Sequence, residues 1–259
     1  MLVICYGIAK SGSTLAFELV RGVLASAGHD QKKLKGAPGL KPRARGNHLE
    51  AVSKEDIGAL VETIGQDRIV AVKTHKTFDD AMFGWMENLQ RERKLQAVVS
   101  YRDPRDICLS LIDHGKDSRS AGRRGFARIH DLDDAARIVK MAIPKFAKWG
   151  SLEGTVRLYF ETVAFAPDEA IDAIERALGV SCDREEAKRH AFEDAFTQRN
   201  KARRNRYLDE MDENQKARML ETFRPFIERV CNGGGGDEWY REFRGDILAG
   251  KNSRELRAR

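Results

Sequence analysis

The first thirty residues follow the order strand, glycine loop, helix, and this order constrains the fold more than any other feature. The apolar run LVICY (2–6) is rich in β-forming residues and predicts a buried strand. Two glycines and small polar residues in GIAKSGS (7–13) break that run. From Thr14 apolar residues recur at helical spacing, and Gly28 is a natural C-terminal stop.

The same alternation continues along the chain. Ser53 and Asp56 have the spacing of a capping box at the start of a helix. The patterns predict strands over 68–72, 95–101 and 155–160, and helices over 53–64, 78–91, 102–113, 131–149 and 167–179. A helical region is predicted from 184 to about Cys231, followed by a tail over 233–259. We therefore expect one α/β domain over 1–259: a three-layer α/β/α fold with a central parallel sheet, an α/β core over 1–180 and a helical C-terminal part over 181–232.

Basic charge is concentrated in three segments. The net charge is +6, from 46 Lys and Arg against 40 Asp and Glu. Segment 31–45 has six basic and no acidic residues, segment 116–128 has five and one, and segment 199–206 has five and none. The rest of the chain carries 30 basic and 39 acidic residues, a net of −9. This distribution favours local anion binding over a surface built to coat nucleic acid.

Cysteine spacing and hydropathy limit which cellular compartment and which class of protein the sequence predicts. Cys5, Cys108, Cys182 and Cys231 are scattered without a CxxC pair, which predicts neither a zinc ribbon nor a disulfide framework. No apolar run approaches the roughly 18 residues of a membrane span. The N-terminus lacks the basic region of a signal peptide. We therefore expect a cytoplasmic protein without a metal site or a membrane partner.

Three polar motifs follow predicted strands. They are the loop Gly7–Thr14, Lys73-Thr74-His75, and the run Arg102–Asp106. Ligands of open α/β sheets bind beyond the carboxyl ends of the strands, so a parallel sheet brings all three motifs to one edge. The loop has the glycines and the helix start of a phosphate cradle. A Walker A motif has Gly-Lys-Ser/Thr at the helix start, whereas here Gly12 is followed by Ser13 and the lysine lies upstream at Lys10.

Together the motifs resemble those of the sulfotransferases that use 3′-phosphoadenosine 5′-phosphosulfate (PAPS). Their first signature, close to Pro-Lys-Ser-Gly-Thr-Thr-Trp, reads Ala-Lys-Ser-Gly-Ser-Thr-Leu at 9–15. Their second signature has an arginine at a strand end and a serine eight residues later, as Arg102 and Ser110 are here. Cytosolic members carry Lys-Thr-His after a central strand, as at 73–75. The resemblance covers roughly residues 1–180 and implies a P-loop NTPase-like sulfotransferase fold.

The resemblance also implies a reaction. A sulfuryl group would pass from PAPS to an acceptor hydroxyl or amine by in-line displacement, leaving 3′-phosphoadenosine 5′-phosphate (PAP), with no metal. Lys10 would counter the charge on the leaving phosphate, Lys73 would hold the transferring group, and His75 would take the acceptor's proton. The donor would be bound by Lys10, Ser11, Gly12, Ser13, Thr14, Arg102 and Ser110.

The sequence departs from the family pattern at several positions that contact the nucleotide in the family. Leu15 replaces a tryptophan that packs on the adenine in the family, so another side chain must do that. Phe160 replaces a tyrosine near the adenine; it could stack on the base but could not donate a hydrogen bond. The family's late Arg-Lys-Gly clamp on the 3′-phosphate is absent, but the basic run 199–206 lies where it belongs. Candidates to substitute for the clamp are Arg199, Lys201, Arg203 and Arg204.

The sequence names no acceptor. We expect a small molecule or a carbohydrate, and the segments 31–45 and 116–128, read as surface loops over the acceptor site, favour an anionic one. Two other classes of protein stay open. One is a P-loop kinase or nucleotide-binding enzyme that uses ATP and Mg²⁺, which the displaced lysine disfavours. The other is a nucleic-acid-binding module, suggested by a pI of about 9.1 but disfavoured by basic runs without interleaved aromatics.

Overall fold

A parallel four-stranded sheet organises the chain. The computed structural model describes residues 1–41, 46–195, 203–232 and 236–249. The strands are β1 (Leu2–Gly7), β2 (Val70–Thr74), β3 (Leu95–Tyr101) and β4 (Val156–Tyr159). Their order is β2-β1-β3-β4, and every neighbouring pair is parallel. The carboxyl ends of all four strands therefore meet at one edge, as the sequence predicts.

Helices connect the strands and continue beyond them. In the described part of the chain they are α1 (Ser13–Ser26), α2 (Lys54–Ile64), α3 (Phe83–Arg91), α4 (Pro104–Ser120), α5 (Leu132–Gly150), α6 (Phe160–Phe165), α7 (Pro167–Leu178), α8 (Arg184–Arg189), α9 (Arg206–Glu210), α10 (Glu213–Phe226) and α11 (Asp237–Leu248). A 3₁₀ turn spans Asp80–Met82, and π turns span His190–Asp194 and Ile227–Cys231. None of the described helices is both long and apolar enough to cross a membrane.

The sheet is buried on both faces because successive strand residues point to opposite sides. On β1, Leu2, Ile4 and Tyr6 join the apolar core packed by α2, α3, α4, α5, α10 and α11. Val3 and Cys5 join a second core packed by α1, α7 and α8. The predicted three-layer α/β/α architecture is confirmed.

Several element ends match their sequence signals. Ser53 accepts a hydrogen bond from the Asp56 N–H at the start of α2, although the reciprocal half of a capping box is not formed. Asp103 caps α4 and Pro104 is its first residue. Gly28 and Gly179 both have positive φ just past the ends of α1 and α7. The predicted strand over 155–160 ends one residue early, because Phe160 begins α6.

Three stretches differ from the sequence-based expectation. The strand predicted over 68–72 is β2 at Val70–Thr74, so Lys73 and Thr74 lie within the strand and only His75 follows it. The helix predicted over 102–113 continues to Ser120, so part of the segment expected as a loop over 116–128 is helical. Its last turns are polar, and the Arg119 side chain holds them by donating to the carbonyl oxygen of Ile129 at 2.7 Å. The expected tail contains α11, whose Trp239 and Tyr240 are buried. Phe243 and Ile247 are buried on the same helix, so its apolar residues do have helical spacing. The sequence analysis missed this helix because the preceding four-glycine run is typical of the start of a frayed tail.

The contact between α1 and α8 gives a first stability prediction. Gly22→Ala would put a Cβ 2.6 Å from the carbonyl oxygen of Ala187, so we expect it to lower the free energy of unfolding by about 1–3 kcal/mol. Gly58, inside α2, has no atom within 4 Å of its Cβ position. Gly58→Ala is the matched control and is expected to raise the free energy of unfolding by about 0.5–1 kcal/mol. Urea unfolding of both variants tests this; similar values for the two would contradict the close α1–α8 approach.

Candidate active site

The loop between β1 and α1 forms an anion-binding cradle. Lys10 and Gly12 both have positive φ, 69° and 81°, and between them the Ser11 N–H donates to the Ile8 carbonyl oxygen at 3.0 Å, which closes the turn before α1. No side chain caps α1 at Gly12, so the first N–H groups of this 14-residue helix have no acceptor within it. Ser11 is fully buried, and its hydroxyl lies 3.3 Å from the carbonyl oxygen of Ser100, to which it donates. The cradle thus combines free N–H groups with the positive end of a helix dipole.

Lys73 completes this cradle from the end of β2. Its ammonium donates to the Thr14 hydroxyl oxygen at 2.7 Å, and the residue is only 8% exposed. Burial lowers the pKa of Lys73 to about 8, and the charge of Lys10 contributes in the same direction. Two lysines therefore flank the helix start, and neither side chain forms an ion pair among the described residues. An anion bound here would interact favourably with both ammonium groups and so stabilise their charged forms.

His75 lies beside the same loop, at the exposed edge of the site. Its Nδ1 is 2.8 Å from the carbonyl oxygen of Gly7. Because a carbonyl oxygen only accepts, Nδ1 carries the proton and Nε2 keeps its lone pair. Although the residue is partly exposed, desolvation of its ring by the surrounding protein, and then the Lys73 charge, lower the pKa of His75 below the usual 6.5 of histidine. The imidazole is therefore neutral at pH 7, oriented, and able to accept a proton.

The run after β3 builds a buried ionic network. Asp103 caps α4 and accepts two hydrogen bonds from the Arg105 guanidinium, at 2.9 and 2.6 Å. Arg105 also lies over the Tyr207 ring, 3.5 Å from its centroid. Asp106 is completely buried and accepts from the backbone N–H of Tyr207 at 3.0 Å. These contacts tie the segment around α9 to the start of α4.

Arg102 lies at the centre of this network. Its guanidinium donates to Asp106 at 2.8 Å and to the carbonyl oxygen of Arg203 at 2.6 Å. It also lies over the Phe160 ring at 4.2 Å, and its Nε is 3.7 Å from a Glu161 carboxylate oxygen. That Nε and both Glu161 oxygens are buried without hydrogen-bond partners. The network thus leaves one guanidinium N–H without a hydrogen bond, but this Nε is buried and faces Glu161, so an anionic ligand would have to displace one of the present partners of Arg102.

The other predicted nucleotide residues are distributed around Arg102. Ser110 is buried on α4, and Phe160 is 8% exposed with its ring against Gly12. Little of that ring is open to stack on a base in this structure. Arg203 contributes its carbonyl oxygen, whereas the guanidinium of Arg204 lies 4.4 Å from the Phe165 ring centroid. Arg199 and Lys201 lie outside the described residues.

The sequence analysis missed part of the open side of the site. His48 lies beside His75, with ring centroids 5.9 Å apart, and it belongs to a short segment paired with β2. The only sequence signal for this side of the site was the basic segment 31–45. Across the opening, Asp113 and Asp117 of α4 act on the charge of Lys10. Within the described residues no group of three or more His, Cys, Asp or Glu is placed to hold a metal ion.

Comparisons with known proteins agree with this geometry at the level of the fold. No protein-family model and no curated protein sequence matches the chain. The chain has an α/β fold of the P-loop-like class to which sulfotransferases belong. A solved structure with a similar fold is mouse sulfotransferase SULT7A1 complexed with PAP, with a TM-score of 0.55 and 11% sequence identity. The match covers 93% of this chain and 88% of the mouse chain.

Proposed function

We propose that this protein is a sulfotransferase that moves a sulfuryl group from PAPS to an acceptor hydroxyl. The observation that carries the proposal is what meets at one edge of the sheet. The start of α1 has no side-chain cap, Lys10 and Lys73 form no ion pair among the described residues, and His75 is neutral and oriented. The similar fold of a sulfotransferase complexed with PAP supports the choice of donor. In-line transfer asks mainly for positioning and charge stabilisation, which this set of residues can supply.

His75 has the geometry of the general base. Its Nδ1–H donates to the Gly7 carbonyl oxygen, so its Nε2 keeps a lone pair, and the residue is exposed. As the bond between the acceptor oxygen and sulfur forms, Nε2 takes the hydroxyl proton. The bond between sulfur and the bridging oxygen breaks, and its electron pair stays on the leaving phosphate. Proton abstraction by a positioned side chain contributes about 10²–10⁴-fold to such a rate.

Lys10 and Lys73 supply the positive charge. Both ammonium groups border the N-terminus of α1, where the leaving phosphate would collect negative charge. In a Walker A loop the hydroxyl at the position of Thr14 binds Mg²⁺. Here that hydroxyl accepts from the Lys73 ammonium, so a lysine occupies the place of the metal in the hydrogen-bond pattern. This favours PAPS over the alternative donor, ATP with Mg²⁺.

Arg102 would distinguish PAPS from ATP by its 3′-phosphate. Its guanidinium, which here donates to Asp106 and to the Arg203 carbonyl oxygen, would exchange one of these contacts for the 3′-phosphate, and Ser110 lies on the next turns of α4. Arg203, whose carbonyl oxygen accepts from Arg102, or its neighbour Arg204 would complete the clamp on the 3′-phosphate. Phe160 would support Arg102 by its ring face while lying against the loop at Gly12.

A thermal-shift titration with PAP, ADP and ATP–Mg²⁺ tests the donor. PAP at 100 times its Kd is expected to add about 2.7 kcal/mol, a rise in Tm of about 5–10 °C for a chain of this size. PAP and ADP each carry two phosphates and differ in where the second one is attached, so comparing them tests recognition of the 3′ position without a mutation. Lys10→Met is expected to remove most of the shift, because it deletes an ammonium at the cradle.

Lys76→Met is the matched control, since Lys76 is exposed on the same segment as His75. It should leave the PAP shift within about 1 °C of the unmodified protein. A shift with ATP–Mg²⁺ and none with PAP would replace the proposal by the kinase alternative. No shift with any of the three nucleotides would overturn the proposed function.

A further inference from the structure

One wall of the opening above His75 is formed by a segment added to the edge of the sheet. The Leu49 backbone N–H donates to the Lys73 carbonyl oxygen at 2.7 Å, and the Lys73 backbone N–H donates to the Asn47 carbonyl oxygen at 2.8 Å. His48 therefore pairs with Lys73 in a parallel bridge. Lys41 in turn donates its N–H to the His48 carbonyl oxygen at 2.8 Å. This pairing places Lys41 and His48 beside the proposed base.

His48 and His75 form an adjacent pair of imidazoles. Their ring centroids are 5.9 Å apart and their planes are inclined by 51°. The Nδ1 of His48 is buried and makes no hydrogen bond, so no hydrogen bond at that nitrogen fixes the ring. The positive charge of Lys41 lowers the pKa of both imidazoles, after burial as the largest cause in each case. Lys41 thus acts electrostatically on the place where the acceptor must bind.

The positive charge of Lys41 has little acidic charge near it among the described residues. Lys41 forms no ion pair with an acidic side chain within the described ranges. Glu50 opposes the effect of Lys41 on His48, but it is exposed. Asp113 and Asp117 act on Lys10 from the other side of the opening. Once a donor's phosphate and sulfuryl groups engage Lys10 and Lys73, the positive charge of Lys41 still has no acidic partner in the part of the chain that the structure describes.

We propose that the acceptor carries a carboxylate or a similar anionic group close to its reacting hydroxyl, and that Lys41 and His48 bind this group. The inference rests on the proposed function, because it takes His75 as the point where the hydroxyl is held. The short distance between the two imidazoles requires the anionic group and the hydroxyl to lie close together in one molecule. Sugar acids and hydroxybenzoates have this chemistry.

Binding of matched probes to the PAP-loaded protein tests the proposal by calorimetry. One pair is methyl glucuronide and methyl glucoside; the other is 3-hydroxybenzoate and its methyl ester. In at least one pair the carboxylate is expected to bind about tenfold more tightly than its neutral partner, the effect of one charge-assisted hydrogen bond. Lys41→Gln and His48→Phe are each expected to reduce that preference to about twofold.

Lys35→Gln is the matched control, because Lys35 belongs to the same basic segment and is exposed. It is expected to leave the preference unchanged. Equal binding within both pairs, an equal loss in the Lys35 variant, or no binding of any probe would each overturn the inference. Failure of the proposed function looks different: PAP then gives no thermal shift, while the carboxylate preference is still measured in the nucleotide-free protein.

Discussion

His75→Asn is expected to lower kcat for sulfuryl transfer by about 10²–10⁴-fold while leaving the PAP thermal shift unchanged. The asparagine amide N–H can still donate to the Gly7 carbonyl oxygen, as Nδ1 of His75 does at 2.8 Å. It offers no lone pair of comparable basicity toward the acceptor. The substitution therefore separates the proton transfer from the geometry of the loop. PAP release from PAPS, measured with an accepted hydroxyl compound, gives the rate.

His114→Asn is the control for this loss. His114 lies across the opening on α4, close enough for the Lys10 charge to lower its pKa, although burial is the larger cause. It is a second imidazole at the site, but it makes no contact with Gly7 in the structure. A loss in kcat from His114→Asn that equals or exceeds the loss from His75→Asn would show that the base lies on α4.

The pH profile of kcat/KM gives an independent readout of the same assignment. A base must be neutral, so activity falls as pH drops through the pKa of His75, which lies below the usual 6.5. Lys73 must be charged, so activity falls as pH rises through its pKa of about 8. The expected profile for the free enzyme is a bell with its maximum between these limits. His75→Asn should flatten the acid limb and leave the alkaline limb in place.

The strands and the edge of the site were predictable because their signals are local. β1 and β3 match the apolar runs at 2–6 and 95–101, since a strand buried on both faces is continuously apolar. The capping residue Asp103 and the helix-opening Pro104 are equally local. Parallel topology then brings three strand ends together without any further information. For these reasons the positions of Lys10, Lys73 and His75 follow from the sequence.

The wall of the site and its ionic network were not predictable, because they depend on contacts between distant residues. His48 reaches His75 only through the pairing of its segment with β2. Asp106 reaches Tyr207 across 101 residues of chain. Arg102 and Asp106 are only four residues apart, but their spacing does not show that both are buried or that the Arg203 carbonyl oxygen also accepts from Arg102. Sequence reasoning thus located Lys10, Lys73 and His75 at one edge of the sheet and missed the contacts that surround them.

Asp106→Ala is expected to lower the free energy of unfolding by about 3–5 kcal/mol. Asp106 is completely buried and accepts from Arg102 at 2.8 Å and from the Tyr207 N–H at 3.0 Å. Its removal leaves the Arg102 guanidinium buried, with Glu161 at 3.7 Å as its nearest carboxylate. Asp133→Ala, which breaks the exposed pair with Arg218, is the control and is expected to cost less than about 1 kcal/mol. Urea unfolding measures both.

A double substitution separates the stability of this network from its role in binding. Arg102→Met with Asp106→Leu removes both buried charges together, and such replacements are often neutral for folding. We expect the double variant to be more stable than Asp106→Ala by at least about 2 kcal/mol, although it leaves Glu161 without a cation. Yet it should respond equally to PAP and ADP, because the donor toward the 3′-phosphate is gone. A double variant that still prefers PAP would move recognition of the 3′-phosphate away from Arg102 to the other basic residues of 199–206.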